Sequence, residues 1–249
     1  MNSKPKKVSL FLPCLADLYY PALGRAAIRV LKKVGLEVDY PEDQTCCGQW
    51  AFNVGQPQAA ESLAHHYIRV FEPAAAVVSI SASCVLTVRN HYPELFAEQP
   101  GWKARAEAVG AKTYELMDFL VNVLETDDLG AVFAGKATVH DSCHPLRGLG
   151  LKDEPRRLLA RVQGLELVEM AEPEVCCGFG GAFMAKNPPL SLAMAEAKVK
   201  QALETGADLM VMTEPGCLLN VDSVLKARKS RMKARHIVEV LAQGDGYAR

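Results

Sequence analysis

Residues 74–84 read AAAVVSISASC and residues 207–217 read ADLMVMTEPGC. Each is an apolar run, Ala74–Ile80 or Ala207–Met212, that ends in a few polar residues and then a cysteine. Runs of this length, set between amphipathic stretches, read as buried strands of a parallel sheet. The cysteine therefore falls at the strand's carboxyl end. Working outward, the same arrangement recurs at Val8–Leu12 before Cys14, and at Lys136–His140 before Cys143.

All eight cysteines of the 249-residue chain fall into this pattern, and the pattern occurs twice. The first set is Cys14, Cys46, Cys47 and Cys84; the second is Cys143, Cys176, Cys177 and Cys217. From single cysteine to adjacent pair is 32 residues in one set and 33 in the other. From the pair's second cysteine to the last is 37 and then 40. Such matching spacings mark a duplicated unit, and we expect halves at 1–130 and 131–249.

Between the cysteines the elements alternate. Helical spacing over Pro21–Val34, Gln58–Phe71, Glu154–Val162 and Leu190–Thr205 is interleaved with strand-like Leu36–Tyr40 and Leu165–Glu169. A further helix is expected through Leu86–Tyr92, and Glu98–Thr126 reads as a connecting helical region. Alternating strand and helix predicts an α/β fold of two tandem Rossmann-like repeats, each with a small parallel sheet, related by a pseudo-two-fold. Sites in such sheets form where the strands end. Helix N-termini at that edge favour thiolate over thiol. Each half is expected to build its own cysteine site.

Composition narrows the chemistry. Hydrophobic residues make up 49% and charged residues 23%, and the net charge is −1. These are ordinary globular values and argue against a general nucleic-acid binder. The start, MNSKPKKVSLFLPC, carries too short an apolar run for a signal-peptide core or a membrane span. We expect a cytoplasmic protein, whose cysteines are ligands or redox groups and not cross-links.

Four gathered thiolates suit a [4Fe–4S] cluster or a tetrahedral zinc ion. Neither half has the close C-x2-C pair by which one turn usually supplies two zinc ligands, so the spacing favours the cluster, one or two per chain. Glycine after each pair, Gly48 and Gly178, permits a tight turn and close backbone approach. There is no C-x2-C-x2-C ferredoxin run, no G-x-G-x-x-G dinucleotide loop and no P-loop.

Thr45-Cys46-Cys47-Gly48-Gln49, Cys176-Cys177-Gly178-Phe179-Gly180-Gly181 and Cys217-Leu218-Leu219-Asn220 resemble the cysteine-rich CCG domain found in heterodisulfide reductase and in the iron–sulfur subunit of glycolate oxidase. A chain of two such repeats is most similar to the lactate utilization protein A family. That resemblance implies an iron–sulfur subunit of a complex oxidising L-lactate to pyruvate. It also implies partner subunits, one a ferredoxin-type iron–sulfur protein. The reductase closes its repeat with C-x-x-C, whereas here Ser81 and Glu214 stand at the first position of that pair. This departure weighs against a noncubane cluster and leaves four cysteines per half for a cubane. A thiol–disulfide reductase and a non-redox zinc scaffold are the alternative readings.

Several residues have two readings. His140 and His144 flank Cys143 and are either satisfied strand-end histidines or contributors to the site. Ser81 or Glu214 is an oxygen ligand only against the softness preference of such sites. Asp141 and Arg147 lie near the site in sequence. The basic run Lys226–His236 is either a solvated helix face or a dock for an acidic partner or an anionic membrane surface.

Overall fold

The computed structural model describes residues 4–244; residues 1–3 and 245–249, the outer ends of the two expected halves, lie outside it. Eight strands form two all-parallel sheets. β1 (Lys7–Phe11), β2 (Glu37–Asp39), β3 (Val77–Ser79) and β4 (Thr113–Glu115) lie in the order β2-β1-β3-β4. β5 (Val132–Val139), β6 (Gln163–Leu167), β7 (Leu209–Met212) and β8 (Lys233–His236) repeat that order as β6-β5-β7-β8. The central strands β3 and β7 are buried throughout, as strands covered on both faces must be. The α/β class and the tandem Rossmann-like repeat are as the sequence predicts.

Helices of the first half are α1 (Cys14–Tyr19), α2 (Ala22–Lys33), α3 (Gln49–Asn53), α4 (Pro57–Phe71), α5 (Ala82–Leu86), α6 (Tyr92–Leu95), α7 (Pro100–Gly110) and α8 (Leu116–Asp118). Those of the second are α9 (Asp153–Ala160), α10 (Ala182–Lys186), α11 (Pro188–Glu204), α12 (Pro215–Ala227) and α13 (Ile237–Leu241). The long ones show why the sequence folds this way. α2 buries Leu23, Ala26, Ala27, Val30 and Leu31, one helical stripe, and closes with Lys32 and Lys33 on its negative end before left-handed Gly35. α4 starts at Pro57, which needs no N–H there, and buries Ala60, Ala64, Tyr67, Ile68 and Phe71.

Two expectations are corrected. Glu98–Thr126 is not wholly helical, because Thr113–Glu115 forms β4 beside β3. Lys226–His236 is not a helix face: α12 ends at Ala227, Lys229 takes a left-handed turn, and Lys233–His236 forms β8. In β8 Ala234 and His236 point inward while Lys233 and Arg235 face solvent. Of the basic residues, Lys233 and Arg235 are thus the outer face of an edge strand, Lys226 lies in the last turn of α12, and Arg228, Lys229 and Arg231 lie in the turn between them.

The halves pack reciprocally. α1 contacts α12, and the turn His144–Leu149, which follows β5 as α1 follows β1, contacts α5. Likewise α2 contacts α13 and its counterpart α9 contacts α8. Reciprocal pairs of this kind are the signature of a two-fold relation. One apolar core, running from Val8 and Leu31 through Ile80 and Leu116 to Val139, Val211 and Leu241, joins both sheets. Among the described residues no helix is long and apolar enough to cross a membrane.

Candidate metal centre

The two-fold relation turns the strand ends of both sheets toward each other. All eight cysteines therefore line one cleft between the halves, together with Ser81, Ser83, His144, Phe179 and Glu214. Each half's four cysteines, expected to build that half's own site, open onto the same cleft. All eight thiols are free: Cys47, Cys84, Cys177 and Cys217 are buried, Cys46, Cys143 and Cys176 half-buried, and Cys14 exposed.

Each set is built by the same local devices. Cys14 opens α1 directly after β1, and Cys143 opens the π-helical turn after β5. Cys84 and Cys217 sit in the first turns of α5 and α12, beyond β3 and β7. The adjacent pairs lie in the loops after β2 and β6. There Gly48 (φ +83°) and Gly178 (φ +82°) take the left-handed conformation and turn their N–H groups onto Cys46 Sγ at 3.4 Å and Cys176 Sγ at 3.3 Å.

The second cysteine of each pair is held from behind. Tyr92 Oη donates to the Cys47 carbonyl at 2.8 Å, and Asn220 Nδ2 donates to the Cys177 carbonyl at 2.8 Å. Different residues on different helices thus do the same work. Gln44 fixes the approach to Cys14, accepting from Leu12 N–H at 2.7 Å and donating to Leu10 O at 3.2 Å. In the second half Asp141 N–H donates to Pro173 O at 3.0 Å, and the Asp141 carboxylate is gripped by Arg156 at 2.7 and 3.0 Å. Asp141 is therefore a structural anchor turned onto Arg156, which also holds Glu169 at 2.7 and 2.9 Å. Arg147 is exposed and reaches only the Glu174 carbonyl, at 3.5 Å.

The thiols crowd one another. Cys14 Sγ lies 3.6 Å from Cys46 Sγ. Hydrogen bonds from Cys14 and Cys47, and then from Gly48 N–H, hold the Cys46 thiol well below its ordinary range. Cys143, Cys177 and Gly178 do the same for Cys176. Their neighbours Cys14, Cys47, Cys143 and Cys177 are pushed up, first by those same bonds and then by burial. In the first set Cys46 gives up its proton readily while Cys14 and Cys47 hold theirs. In the second Cys176 and Cys217 give theirs up, Cys217 through a hydrogen bond from Cys177 and then from His140, while Cys143 and Cys177 hold theirs. That is the electrostatics of a soft-metal site.

Neither Ser81 nor Glu214 is free to act as an oxygen ligand. Glu214 accepts from Ser81 Oγ at 3.0 Å, Ser83 N–H at 2.8 Å and Ser83 Oγ at 3.2 Å, all from the opposite half. Burial, then the Cys217 charge, raises its carboxyl to about 8. His144 does contribute to the cleft wall, with Nδ1 3.6 Å from Cys143 Sγ. His65 and His66 lie elsewhere: His65 packs on Phe96 and Trp102, and His66 Nε2 pairs with Asp43 O. Sequence reasoning did not single out Trp50, whose ring approaches Gly181 at the cleft, or Lys198, fully buried on α11.

The donor set suits a thiophilic cofactor. Eight free thiols in one cleft between two sheets, in two sets of four, are the ligands iron–sulfur clusters use. The backbone also closes tightly: a Cβ on Gly178 would lie 2.6 Å from Ser191 O, and one on Gly216 would lie 2.4 Å from the Phe179 ring.

Fold and cleft define a protein of two cysteine-rich repeats facing one another, and comparison with known proteins agrees. The cysteine-rich CCG domain matches residues 8–89 and again 137–222. The "Lactate utilization protein A" of an Exiguobacterium species is 44% identical over 95% of this chain and 97% of its own length. That of Halalkalibacterium halodurans is 45% identical over 94% of this chain and 96% of its own. The chain belongs to the lactate utilization protein A family. In fold it is similar to a hypothetical protein from Helicobacter pylori, with a TM-score of 0.72 at 12% identity. The match covers 99% of this chain and half of that one.

Proposed function

We propose that this chain is the iron–sulfur electron-transfer subunit of a complex that oxidises L-lactate to pyruvate. The observation that carries the reading is the convergence of two four-cysteine sets on one cleft. The names of its relatives supply the metabolic setting. In this reading each repeat, 1–130 and 131–249, contributes one set. Cys14, Cys46, Cys47 and Cys84 hold one [4Fe–4S] cluster; Cys143, Cys176, Cys177 and Cys217 hold another. A cluster so held takes up and releases one electron at a time. The protein's own residues fix the thiolates, aim the Gly48 and Gly178 N–H groups at sulfur and keep water from the buried cysteines. Hydride removal from the hydroxy acid belongs to a partner subunit that carries a flavin or nicotinamide. A ferredoxin-type iron–sulfur protein completes the relay, in the cytoplasm.

The test is iron, zinc and acid-labile sulfide on anaerobically purified protein. About eight iron and eight sulfide per chain support two cubanes, and about four of each support one. Zinc without sulfide overturns the reading in favour of a scaffold. Turnover of a disulfide by the isolated chain, lost in Cys47→Ser or Cys177→Ser, overturns it in favour of a reductase.

A further inference from the structure

The two cysteine sets are repeated in spacing but not in surroundings. His140 ends the segment after β5, three residues before Cys143, and is 1% exposed. Its main-chain N–H donates to Val211 O at 2.8 Å. Its Nδ1 lies 3.1 Å from the Pro173 carbonyl. A carbonyl only accepts, so Nδ1 carries a hydrogen, and in the neutral form of the imidazole Nε2 is then a lone pair. Nε2 is buried and makes no hydrogen bond of ordinary geometry. Its chemical neighbour is the Cys217 thiol, which Cys177 first and then His140 hold well below its ordinary range. A ring nitrogen of His140 and the sulfurs of Cys177 and Cys217 all lie within 4.8 Å of one another.

A buried unpartnered nitrogen is destabilising unless something occupies it. A histidine anchored through one nitrogen on a backbone carbonyl, with a ring nitrogen close to two thiols, has the arrangement of a metal-bound histidine. The first half shows what this position looks like without that role. Phe11 stands three residues before Cys14 and packs edge-on against Tyr67, with ring centroids 5.0 Å apart. The glycine turns align the helices behind them: Gly48 faces Ala60 and Leu63 on α4, and Gly178 faces Ser191 and Met194 on α11. By the same step Tyr67 corresponds to Lys198, whose ammonium is buried and donates to Glu172 O. An aromatic pair in one half is thus a histidine and a lysine in the other.

We propose that His140 Nε2 is a metal ligand at the second cysteine set, making it a mixed nitrogen–sulfur site while the first set remains sulfur-only. This rests on the reading that the cysteines hold a metal cofactor. In place of one of that set's four thiolates, a neutral imidazole puts less negative charge on the metal, and the Lys198 ammonium is near enough to interact with the Cys177 charge. Both favour the reduced state, so the second site holds the higher reduction potential and takes the electron from the first.

The experiment uses the full chain, labelled with nitrogen-15 histidine, purified anaerobically and reduced with dithionite. Pulsed EPR is expected to show a nitrogen bonded directly to one cluster. That coupling should vanish in His140→Phe and in His140→Cys. The cysteine variant keeps a soft donor, so retained iron there separates loss of a ligand from loss of the fold. Clusters present in both halves with no directly bonded nitrogen would overturn the proposal, as would a nitrogen signal unchanged in both variants. A chain without iron or sulfide defeats the cluster reading alone. Cobalt(II) titration then decides: His140→Phe should weaken binding more than about tenfold, and equal affinity would overturn the assignment.

Discussion

Ser81 and Glu214 occupy the same position in the two repeats, three residues before the last cysteine of each set, and they hydrogen-bond to each other at 3.0 Å. Position-for-position contact of this kind happens only at a two-fold axis. The pair therefore marks where the halves meet, at the floor of the cleft that both cysteine sets line. Glu214→Ala would leave Ser83 N–H without its partner and deprive the Ser81 and Ser83 hydroxyls of their shared acceptor, leaving Ser81 Oγ only Ser83 Oγ and the Cys84 N–H. The expected loss is about 2–4 kcal/mol of stability in anaerobic urea unfolding, with Glu214→Gln losing less than half of that.

Arg156 links Asp141, which is 5% exposed, to Glu169 across two bidentate pairs. Arg156→Met should cost about 2–4 kcal/mol, because it strands a buried carboxylate. Lysine cannot span both carboxylates in the plane that guanidinium does, so Arg156→Lys should recover little of it. Since Asp141 fixes the chain entering Cys143, metal retention at the second set should fall in both variants and hold at the first. Equal stability of Arg156→Met and the parent protein would show that the clamp does nothing.

The order of strands, helices and cysteines was legible because each strand is an apolar run that delivers a cysteine, and each long helix shows one buried stripe. β4 and β8 were not legible. Thr113–Glu115 is three residues long, too short to show a period. Lys233–His236 alternates inward Ala234 and His236 with exposed Lys233 and Arg235, and the surrounding basic residues hide that alternation. The shared cleft was invisible for a different reason. Spacing shows that four cysteines can meet, but which edges face each other is set by packing between α1 and α12 and between α2 and α13, far apart in sequence. His140 read either as a satisfied strand-end histidine or as a contributor to the site, and only the three-dimensional structure shows its Nδ1 on the Pro173 carbonyl and a ring nitrogen close to Cys177 and Cys217.

The ends of β4 and β8 carry a second matched pair with opposite demands. Glu115 caps α8, accepting from Met117 and Asp118 N–H at 2.6 and 3.1 Å, while burial raises its carboxyl from 4.5 to about 8. His236 caps α13 and donates from Nε2 to Ile80 O across the halves, while burial lowers it from 6.5 to about 4. Folded Glu115 holds more protons than unfolded between pH 4.5 and 8, so its contribution is full below that window and fades as pH rises through it. Folded His236 holds fewer between 4 and 6.5, so its contribution is full above that window and fades as pH falls. Glu115→Gln, which keeps the cap, should flatten the alkaline loss by on the order of 3 kcal/mol between pH 5 and 8. Unfolding free energies that decline equally in both proteins would show that Glu115 is ionised throughout.

The two glycines that follow the cysteine pairs share a backbone conformation but not a neighbourhood, and that makes them separable. An alanine at either must adopt φ near +80°, which costs about 1–2 kcal/mol by itself. At Gly48 the added methyl would meet Ala60 O and Leu63 Cβ at 3.3 Å, a contact that α4 can relieve by moving a few tenths of an ångström. At Gly178 it would meet Ser191 O at 2.6 Å and Met194 Cβ at 2.7 Å, and relief there means moving the backbone of α11. Ser191 Oγ and the Cys177 carbonyl share the Asn220 amide, so displacing α11 also disturbs the buried cysteine. Gly178→Ala should therefore cost about 2 kcal/mol more than Gly48→Ala and should release metal from the second set selectively. Unfolding midpoints, read with the rate at which a chelator strips metal, decide it. Equal penalties at the two glycines would mean that the turns carry strain alone and that the close approach to α11 is relieved without cost.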